Sequence, residues 1–268
     1  MAETPAEQPG AHHVQSLDRG LAVIRAFGES APALTLSEVA RATDLTRAAA
    51  RRFLLTLADL GYVSYDGKYF SLTARVLELG YSFLSSISLP EVAHPHLERL
   101  SAQVHESCSA SVLEGTDVVY VARVAVSRIM AVRINVGTRF PAHATSMGHV
   151  LLAGLDEVRL REYLDAAELG KLTSHTITSA TALRTELASV REQGYALVDQ
   201  ELEEGLRSVA APVRDRGGRV VAAVNVSTHA GRVSAEVVRA EIVPALLSTC
   251  ARIEGDLAVN ARAHPAGG

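Results

Sequence analysis

Residues 34–63, LTLSEVARATDLTRAAARRFLLTLADLGYV, constrain the fold of this chain more than any other segment. From Leu36 onward an apolar residue recurs about once per helical turn, which predicts a short helix with one apolar face. A turn follows at residues 42–45, and the hydroxyl of Thr46 can then cap a second helix whose first amides lack acceptors. Two short helices joined by a tight turn are typical of a helix-turn-helix.

The second predicted helix carries the basic side chains. Arg47 and Arg51 lie one turn apart on its outer face, Arg52 lies beside them, and no acidic residue separates them. A guanidinium can bond guanine O6 and N7 or a phosphate oxygen, and a small residue such as Ala48 keeps the helix slim enough for the major groove. We therefore predict that Thr46, Arg47, Ala48, Arg51 and Arg52 contact double-stranded DNA.

A hairpin is predicted directly after this helix. Residues 61–65 and 68–72 have strand composition, and the Asp66-Gly67 pair between them favours a tight turn. This is the pattern of a wing, with Lys68 near its tip and available to a phosphate. The alternative is an ordinary helical hairpin with a solvated basic face.

Composition limits the remaining possibilities. The chain has 268 residues, of which 48% are hydrophobic and 21% charged, which is enough for two domains with cores. The formal net charge of −4 means that any DNA-binding charge is local. The two cysteines, Cys108 and Cys250, are far apart and in no metal-ligand pattern, which argues against a disulfide framework and a zinc site. The polar start and the lack of a long apolar run predict a cytoplasmic protein without membrane contact.

We predict an α+β arrangement: an N-terminal winged helix-turn-helix, a linker helix, and a C-terminal antiparallel sheet flanked by helices. The first helix, at residues 16–27, is capped by Ser16 and packs through Leu17, Leu21, Ile24 and Phe27. The predicted divisions are a disordered tail at 1–13, the DNA-binding domain at 14–73, the linker helix at 74–88, the second domain at 89–258 and a tail at 259–268. Within the second domain we predict helices at 90–106, from 145, at 156–168, 180–193 and 234–257, and strands at 109–113, 118–124, 129–136, 195–199, 209–213 and 220–226.

The best ligand-site candidate is residues 141–152, PAHATSMGHVLL. A helix that begins at Thr145 or Ser146 presents free amides and the positive end of its dipole, which suit a carboxylate, and Gly148 lets a ligand or a strand approach closely. The alternative is that Thr145 merely caps a helix.

Small polar residues recur later in the chain. Asn225 and Ser227 alternate on one predicted strand and so share a face, and Ser208 follows a Gly-Leu-Arg segment earlier in the chain. A ligand could satisfy these side chains, but they could equally bond each other or a water.

A catalytic reading pairs Ser146 with His143 or His149, or Cys108 with a histidine, as nucleophile and base. The surrounding motifs do not support it. There is no GxSxG, no HExxH and no glycine-rich phosphate loop. We therefore predict a protein that is not an enzyme and needs no cofactor or metal.

Four segments together carry a resemblance to a known family over residues 14–258. They are VQSLDRGLAVIRAF from Val14, LTLSEVARATDLTRAAARRFLLTLADLGYV from Leu34, VGTRFPAHATSMGHVLLA from Val136, and GYALVDQELEEGLRSVAAPVRDRGGRVVAAVNVS from Gly194. The chain resembles the IclR family of bacterial transcription regulators. Within that family VYVARVAVSRIM, RFPAHATSMGHVLLA and LVDQELEEGLRS look most like the group of PcaR, PcaU and PobR, which controls the degradation of aromatic acids.

The resemblance implies a winged helix-turn-helix that dimerises on operator DNA and a GAF-like domain that binds a small organic acid. It also implies a homodimer or a dimer of dimers, with RNA polymerase as a further partner. By resemblance the carboxylate is held by amides at Ser146 and Met147, beside Gly148. The side chains expected to join them are Val198, Ser208, Asn225 and Ser227.

Three of these positions depart from the family's glyoxylate-binding pattern. Val198 replaces an aspartate, Ser208 a cysteine and Asn225 a serine, while Ser227 is retained. A more apolar pocket suits an aromatic or longer acid better, because apolar lining gains by burying carbon. Arg133, on the predicted strand before the loop, is a further candidate for the effector, with a surface position as the alternative.

Overall fold

A computed structural model describes residues 13–28, 31–79, 89–126 and 134–263, with side chains up to residue 259. The chain divides into two compact units, residues 1–85 and 86–268, called here the N-terminal and C-terminal units. The predicted tail at 1–13 lies almost wholly outside the described residues.

The N-terminal unit is a winged helix-turn-helix, as predicted. Its three strands form an antiparallel sheet in the order β1-β3-β2. The elements are α1 (Gln15–Arg25), β1 (Ala33–Leu34), α2 (Leu36–Ala42), α3 (Arg47–Asp59), β2 (Val63–Tyr65) and β3 (Phe70–Leu72).

Side-chain caps fix the first residues of α2 and α3, the two helices of the helix-turn-helix. In α2 the Thr35 hydroxyl accepts the Glu38 amide, and the Glu38 carboxylate accepts the Thr35 amide at 2.8 Å. This reciprocal capping box satisfies two amides at the start of the helix. In α3 the Thr46 hydroxyl accepts the Ala49 amide at 3.2 Å, which confirms the cap predicted at Thr46.

The predicted description of the first helix was wrong in two respects. The N-cap is Val14, which makes no side-chain cap bond, so Ser16 is not the cap. Leu17 and Leu21 are exposed by 63% and 43%, whereas Val23 and Phe27 are buried in the core of this unit. Of the four residues predicted to pack, Phe27 is buried and Ile24 packs against this core, so the prediction was wrong only for Leu17 and Leu21.

The predicted linker helix at 74–88 is described only at its start. Residues Ala74–Val76 form a 3-10 turn, with the Thr73 hydroxyl accepting the Arg75 amide, and residues 77–79 are helical. The remainder of that prediction lies outside the described residues.

The C-terminal unit is built on a six-stranded antiparallel sheet in the order β6-β5-β4-β9-β8-β7. The strands are β4 (Ser107–Glu114), β5 (Asp117–Val124), β6 (Arg139–Pro141), β7 (Ala196–Asp199), β8 (Leu206–Arg214) and β9 (Val220–His229). The helices are α4 (Leu89–Val104), α5 (Ser146–Ala153), α6 (Glu157–Ala166), α7 (Ala180–Gln193) and α8 (Val243–Ala263).

The two faces of this sheet support separate cores. Val224 and Val226 point to one face, where they pack with α4 and α8 through residues such as Leu97 and Leu246. The other face carries Ala223 and packs with α5, α6 and α7. Asn225 and Ser227 alternate with the valines, so they lie on this second face, called here the site face.

The strand predicted at 129–136 was wrong at its carboxyl-terminal end. Residues 129–133 lie outside the described residues, and 134–136 are not a strand. The edge strand that pairs with β5 on the side away from β4 is β6, which begins three residues after the predicted strand ends. It has only three residues, one of them Pro141, so it is too short to show an alternating pattern.

The closing helix was predicted at 234–257 but is longer and irregular. A helical turn at Ala235–Val237 runs into a π-turn at Val238–Ile242, and α8 then reaches Ala263, into the predicted tail. Pro244 lacks an amide and crowds the preceding turn, and a π-turn accommodates such a break.

Candidate functional site

Helix α3, the second helix of the helix-turn-helix and called here the reader helix, has one buried and one exposed face. Ala50, Leu54 and Leu57 are buried against the core of the N-terminal unit. Arg47, Arg51 and Arg52 are exposed, as are Thr46 and Ala48. Within the described part of the chain none of these three arginines forms an ion pair. Their guanidinium groups are therefore available to a polyanion such as DNA.

The turn of the wing holds Lys68 at its tip. The Asp66 carboxylate accepts the backbone amides of Lys68 at 2.9 Å and Tyr69 at 2.7 Å, and these bonds lower the pKa of Asp66. The Lys68 ammonium lies 4.8 Å from the centroid of the Tyr69 ring, and the contact with Tyr69 raises the pKa of Lys68. The turn thus presents an exposed, charged lysine.

The amino terminus of α5 is the centre of the second candidate site. The Thr145 hydroxyl accepts the Gly148 amide at 3.1 Å, which caps the helix. The amides of Ser146 and Met147 come earlier in the first turn, where a helix offers no backbone acceptor. The positive end of the helix dipole lies at the same place. The cap and a carboxylate site are therefore compatible, since they use different amides.

A cavity lies at this helix terminus. Its volume is about 10 Å³, which is room for about one water molecule, so a larger ligand must move the lining side chains apart. The polar and apolar residues that line it are Tyr120, Ile134, Ala144, Thr145, Ser146, Val198, Leu202, Leu206, Ser208, Asn225 and Ser227.

Two hydrogen bonds organise the polar side of the cavity. The hydroxyls of Ser146 and Ser208 lie 2.8 Å apart, and one of them donates a hydrogen bond to the other. The Asn225 amide nitrogen donates to the Ser227 hydroxyl at 3.1 Å, which is the mutual bond left open as an alternative in the sequence. The Asn225 carbonyl oxygen is buried with no partner among the described residues.

Five of the predicted effector residues come together around this cavity. Ser146, Val198, Ser208, Asn225 and Ser227 all line it, although they come from α5, β7, β8 and β9. Strand pairing explains their proximity, because Ser208 lies opposite both Val198 and Ser227. Arg133 lies outside the described residues.

Met147 and Gly148 have different roles from those of the cavity-lining residues. The Met147 side chain is buried in the core between α5 and the sheet, so only its amide is available to a ligand. A Cβ on Gly148 would lie 2.0 Å from the Ala142 carbonyl oxygen. Gly148 therefore permits close packing of α5 on the preceding 3-10 turn, and the suggestion that it lets a ligand approach is corrected.

Several apolar lining residues were not predicted. Tyr120 is buried beside the cavity, and burial raises its pKa to about 12. Its position on β5 was obscured by a β-bulge at Ala110 and Ser111, which shifts the pairing. Ile134, Leu202 and Leu206 come from loops or strand ends, for which sequence periodicity gives no signal.

The serine-histidine pairs considered as catalytic are not formed. The His143 ring bonds the Gly170 carbonyl at 3.0 Å, and the His149 ring bonds the His143 carbonyl at 2.7 Å. Burial lowers the pKa of His149 to about 4. Burial also raises the pKa of the Cys108 thiol to about 12, and this thiol donates to a backbone carbonyl. Among the described residues, neither Ser146 nor Cys108 is therefore hydrogen-bonded to a histidine.

In the part of the chain that the structure describes, no cluster of three or more histidine, cysteine or acidic side chains is placed to hold a metal ion. Over the same residues, no helix combines the length and apolar character needed to cross a membrane.

Comparison with family models matches both units. The IclR helix-turn-helix domain matches residues 16–67, and the C-terminal domain of the bacterial transcriptional regulator IclR matches residues 81–254. Together these matches include α3, the first strand of the wing and the cavity at α5.

Similar proteins and solved structures also match most of the chain. The Pca regulon regulatory protein of Pseudomonas putida is 48% identical over 234 residues, which are 87% of this chain and 80% of that protein. A crystal structure of a Rhodococcus sp. RHA1 transcriptional regulator is 59% identical, with a TM-score of 0.83 over 92% of this chain and 100% of that one. An IclR homolog from Microbacterium hydrocarbonoxydans, complexed with 4-hydroxybenzoate, is 28% identical, with a TM-score of 0.81 over 93% and 100% of the two chains.

Proposed function

Because this chain belongs to the IclR family of bacterial transcriptional regulators, we propose that an aromatic acid or a related catabolic intermediate controls its binding to operator DNA. The protein is a DNA-binding transcription regulator with a small-molecule effector, and its resemblance to the Pca regulators is confirmed by the relatives. The proposal adds the chemical class of the effector and the residues that bind it.

The observation that carries the proposal is the position of the α5 amino terminus at the cavity. The effector carboxylate accepts hydrogen bonds from the Ser146 and Met147 amides, where the helix dipole favours negative charge. The hydroxyls of Ser208 and Ser227 and the amide of Asn225 line the same cavity and complete the polar contacts.

The other walls of the cavity favour a carbon skeleton. Tyr120, Ile134, Val198, Leu202 and Leu206 supply apolar surface, and burying carbon against such surface is favourable. Two similar proteins support an aromatic acid, since one is named for the Pca regulon and another was crystallised with 4-hydroxybenzoate.

At the DNA end, we assign the major-groove contacts to the exposed α3 surface of Thr46, Arg47, Ala48, Arg51 and Arg52, and a phosphate contact to Lys68. The DNA-binding domain covers residues 14–73, a linker helix 74–88 and the effector domain 89–258. A homodimer or dimer of dimers places two α3 helices on one operator, in the cytoplasm, where RNA polymerase is a further partner.

Regulation then follows from linkage between the two ligands. An acid that binds one arrangement of the effector domains more tightly shifts the population of dimers toward that arrangement. The shift in operator affinity cannot exceed the difference in the acid's affinity for the two arrangements.

The test is a gel-shift titration on the DNA upstream of the gene at about 150 mM salt, with and without a panel of aromatic acids. We expect a specific complex whose affinity changes with one acid. The Arg47→Ala/Arg51→Ala variant should lose the specific complex, whereas Arg159→Ala/Arg161→Ala, two exposed arginines of α6, should keep it. Specific binding that no acid alters would contradict the proposed effector, and loss of binding in both variants would contradict the assignment to α3.

A further inference from the structure

A row of polar side chains crosses the site face of the sheet and leads away from the cavity. In the strand register Ser109 on β4 lies directly opposite Asn225 on β9 and directly opposite Arg123 on β5. Asn225 lines the cavity, and Ser109 is 1% exposed. Arg123 therefore occupies the third position of a row that begins at the cavity wall.

The Arg123 side chain leans along this row. Its Nη1 donates to the Ser109 hydroxyl at 3.2 Å. Adjacent strands are about 4.8 Å apart, so the backbones of Arg123 and Asn225 are separated by roughly two such spacings. A guanidinium already placed over Ser109 has covered about half of that separation.

The charge of Arg123 is not balanced by a carboxylate in the described residues, where its only side-chain bond is to Ser109. Considering only the residues that the structure describes, its Nε is buried without a partner, as are the Ser111 hydroxyl on the same face of the sheet and the Asn225 carbonyl oxygen. Burial lowers the pKa of Arg123, but a guanidinium remains charged in proteins. Keeping a half-buried cation with an unpaired N–H donor costs free energy unless a hydrogen-bond acceptor binds to it.

Other structural arginines of this unit show the contrast. Arg139 bonds Glu114 at 2.8 Å and Asp117 at 3.1 Å, and Arg207 bonds Asp199 at 2.8 Å. Each of them is paired within the protein. Arg123 has instead a hydroxyl neighbour and a neighbouring cavity, which is an arrangement suited to an incoming anion.

We propose that Arg123 is a specificity-determining residue of the effector site, which receives, with Ser109, a second carboxylate of the effector. This inference rests on the proposed function, in which the α5 amino terminus holds the first carboxylate. The first anchor, on α5, lines the cavity, and the second lies behind the cavity wall, beyond Asn225 in the strand register. The site then selects acids with two carboxylates over acids of similar size with one.

The experiment compares matched pairs of acids by isothermal titration calorimetry on the full-length protein. The pairs are terephthalate with benzoate, and adipate with hexanoate. We expect the wild type to bind the better diacid at least about tenfold more tightly than its monoacid, since a hydrogen bond between charged partners is strong. Arg123→Gln should lose this preference, and Arg123→Lys, which keeps the charge, should restore part of it.

Arg219→Gln is the matched control, because Arg219 is an exposed arginine on the same unit, paired with Asp215. It should bind every acid as the wild type does. Thermal unfolding of each variant identifies any that is misfolded, and Arg123→Lys then provides the comparison if Arg123→Gln is one of them.

The outcomes separate the two proposals. If acids bind and alter the gel shift but Arg123→Gln weakens each pair equally, or if no diacid is preferred, the role of Arg123 is wrong and the proposed function stands. If no acid in either pair or in the aromatic panel binds the wild type, the proposed effector class fails and this inference fails with it.

Discussion

Replacement of Gly148 by alanine tests whether the effector site depends on close packing of α5 against its own approach segment. The added Cβ would lie 2.0 Å from the Ala142 carbonyl oxygen and 2.5 Å from its carbonyl carbon. These are backbone atoms, and they cannot rotate away as a side chain can. The first turn of α5 must therefore shift from the position that it has beside Ser208.

The expected magnitude combines two opposing effects. Overpacking a well-packed interior costs about 1–3 kcal/mol, and an immovable backbone contact belongs at the upper end of that range. Alanine in place of glycine within a helix contributes about 1 kcal/mol in the other direction. We expect a net loss of about 2 kcal/mol in the free energy of unfolding, which lowers the Tm of a unit of this size by roughly 4–8 °C.

Gly255→Ala is the matched control. Gly255 lies in α8, and a Cβ there would have no neighbour within 4 Å. The same substitution should therefore stabilise the protein by about 0.5–1 kcal/mol. The assay is thermal unfolding followed by circular dichroism and near-ultraviolet absorbance, with effector binding measured by calorimetry on both variants. Gly148→Ala should also weaken effector binding, because the Ser146 and Met147 amides move with the helix.

The reasoning would be refuted by equal effects of the two substitutions. If Gly148→Ala unfolded within 1 °C of Gly255→Ala, the contact with Ala142 would not be limiting. If it lost stability yet bound the effector with unchanged affinity, the α5 amino terminus would not hold the carboxylate.

Three further predictions address the cap, a buried carboxyl and the DNA surface. Thr145→Ala removes the bond to the Gly148 amide, so it should lower the free energy of unfolding by about 1 kcal/mol in urea titrations, while Thr145→Ser keeps the cap and should cost less. Burial raises the pKa of Glu201 from 4.5 to about 7, so the folded state resists its ionisation, and stability is lost as pH rises from about 4.5 to 7. Glu201→Gln should therefore have a free energy of unfolding about 1–2 kcal/mol higher than that of the wild type at pH 8 but not at pH 4. The full pKa shift corresponds to an upper bound of about 3 kcal/mol, which solvent screening reduces. An equal gain at both pH values would contradict this cause. Lys68→Ala should reduce the slope of log affinity against log salt by about 0.9 in operator titrations, and an unchanged slope would mean that Lys68 meets no phosphate.

Sequence reasoning was most successful where the determinants are local. The reader helix was predicted from a cap at Thr46 and a regular apolar spacing, and both act within one or two turns of the chain. The turn of the wing was likewise predictable, because the Asp66 carboxylate bonds amides two and three residues away. Such signals need no knowledge of distant segments.

The features that were predicted wrongly or missed depend on contacts between residues that are distant in the sequence. The burial of Val23 in place of Leu17 depends on where α3 packs, and β6 is defined by pairing with β5. The restriction at Gly148 arises from a backbone six residues earlier, which no residue pattern reveals. Arg123 was overlooked for the same reason, since its relation to Asn225 exists only through the strand register.

The hydrogen bond between Ser146 and Ser208 gives the site a threshold for response. Both hydroxyls already have a partner, across 62 residues of chain. An acid that merely replaces this bond gains only the difference between the new bond and the old one, which is small for a weak single contact. Acetate, which has one carboxylate and little carbon, would therefore not change operator binding at concentrations where a larger acid does so, because the larger acid parts the lining side chains and buries its carbon against them.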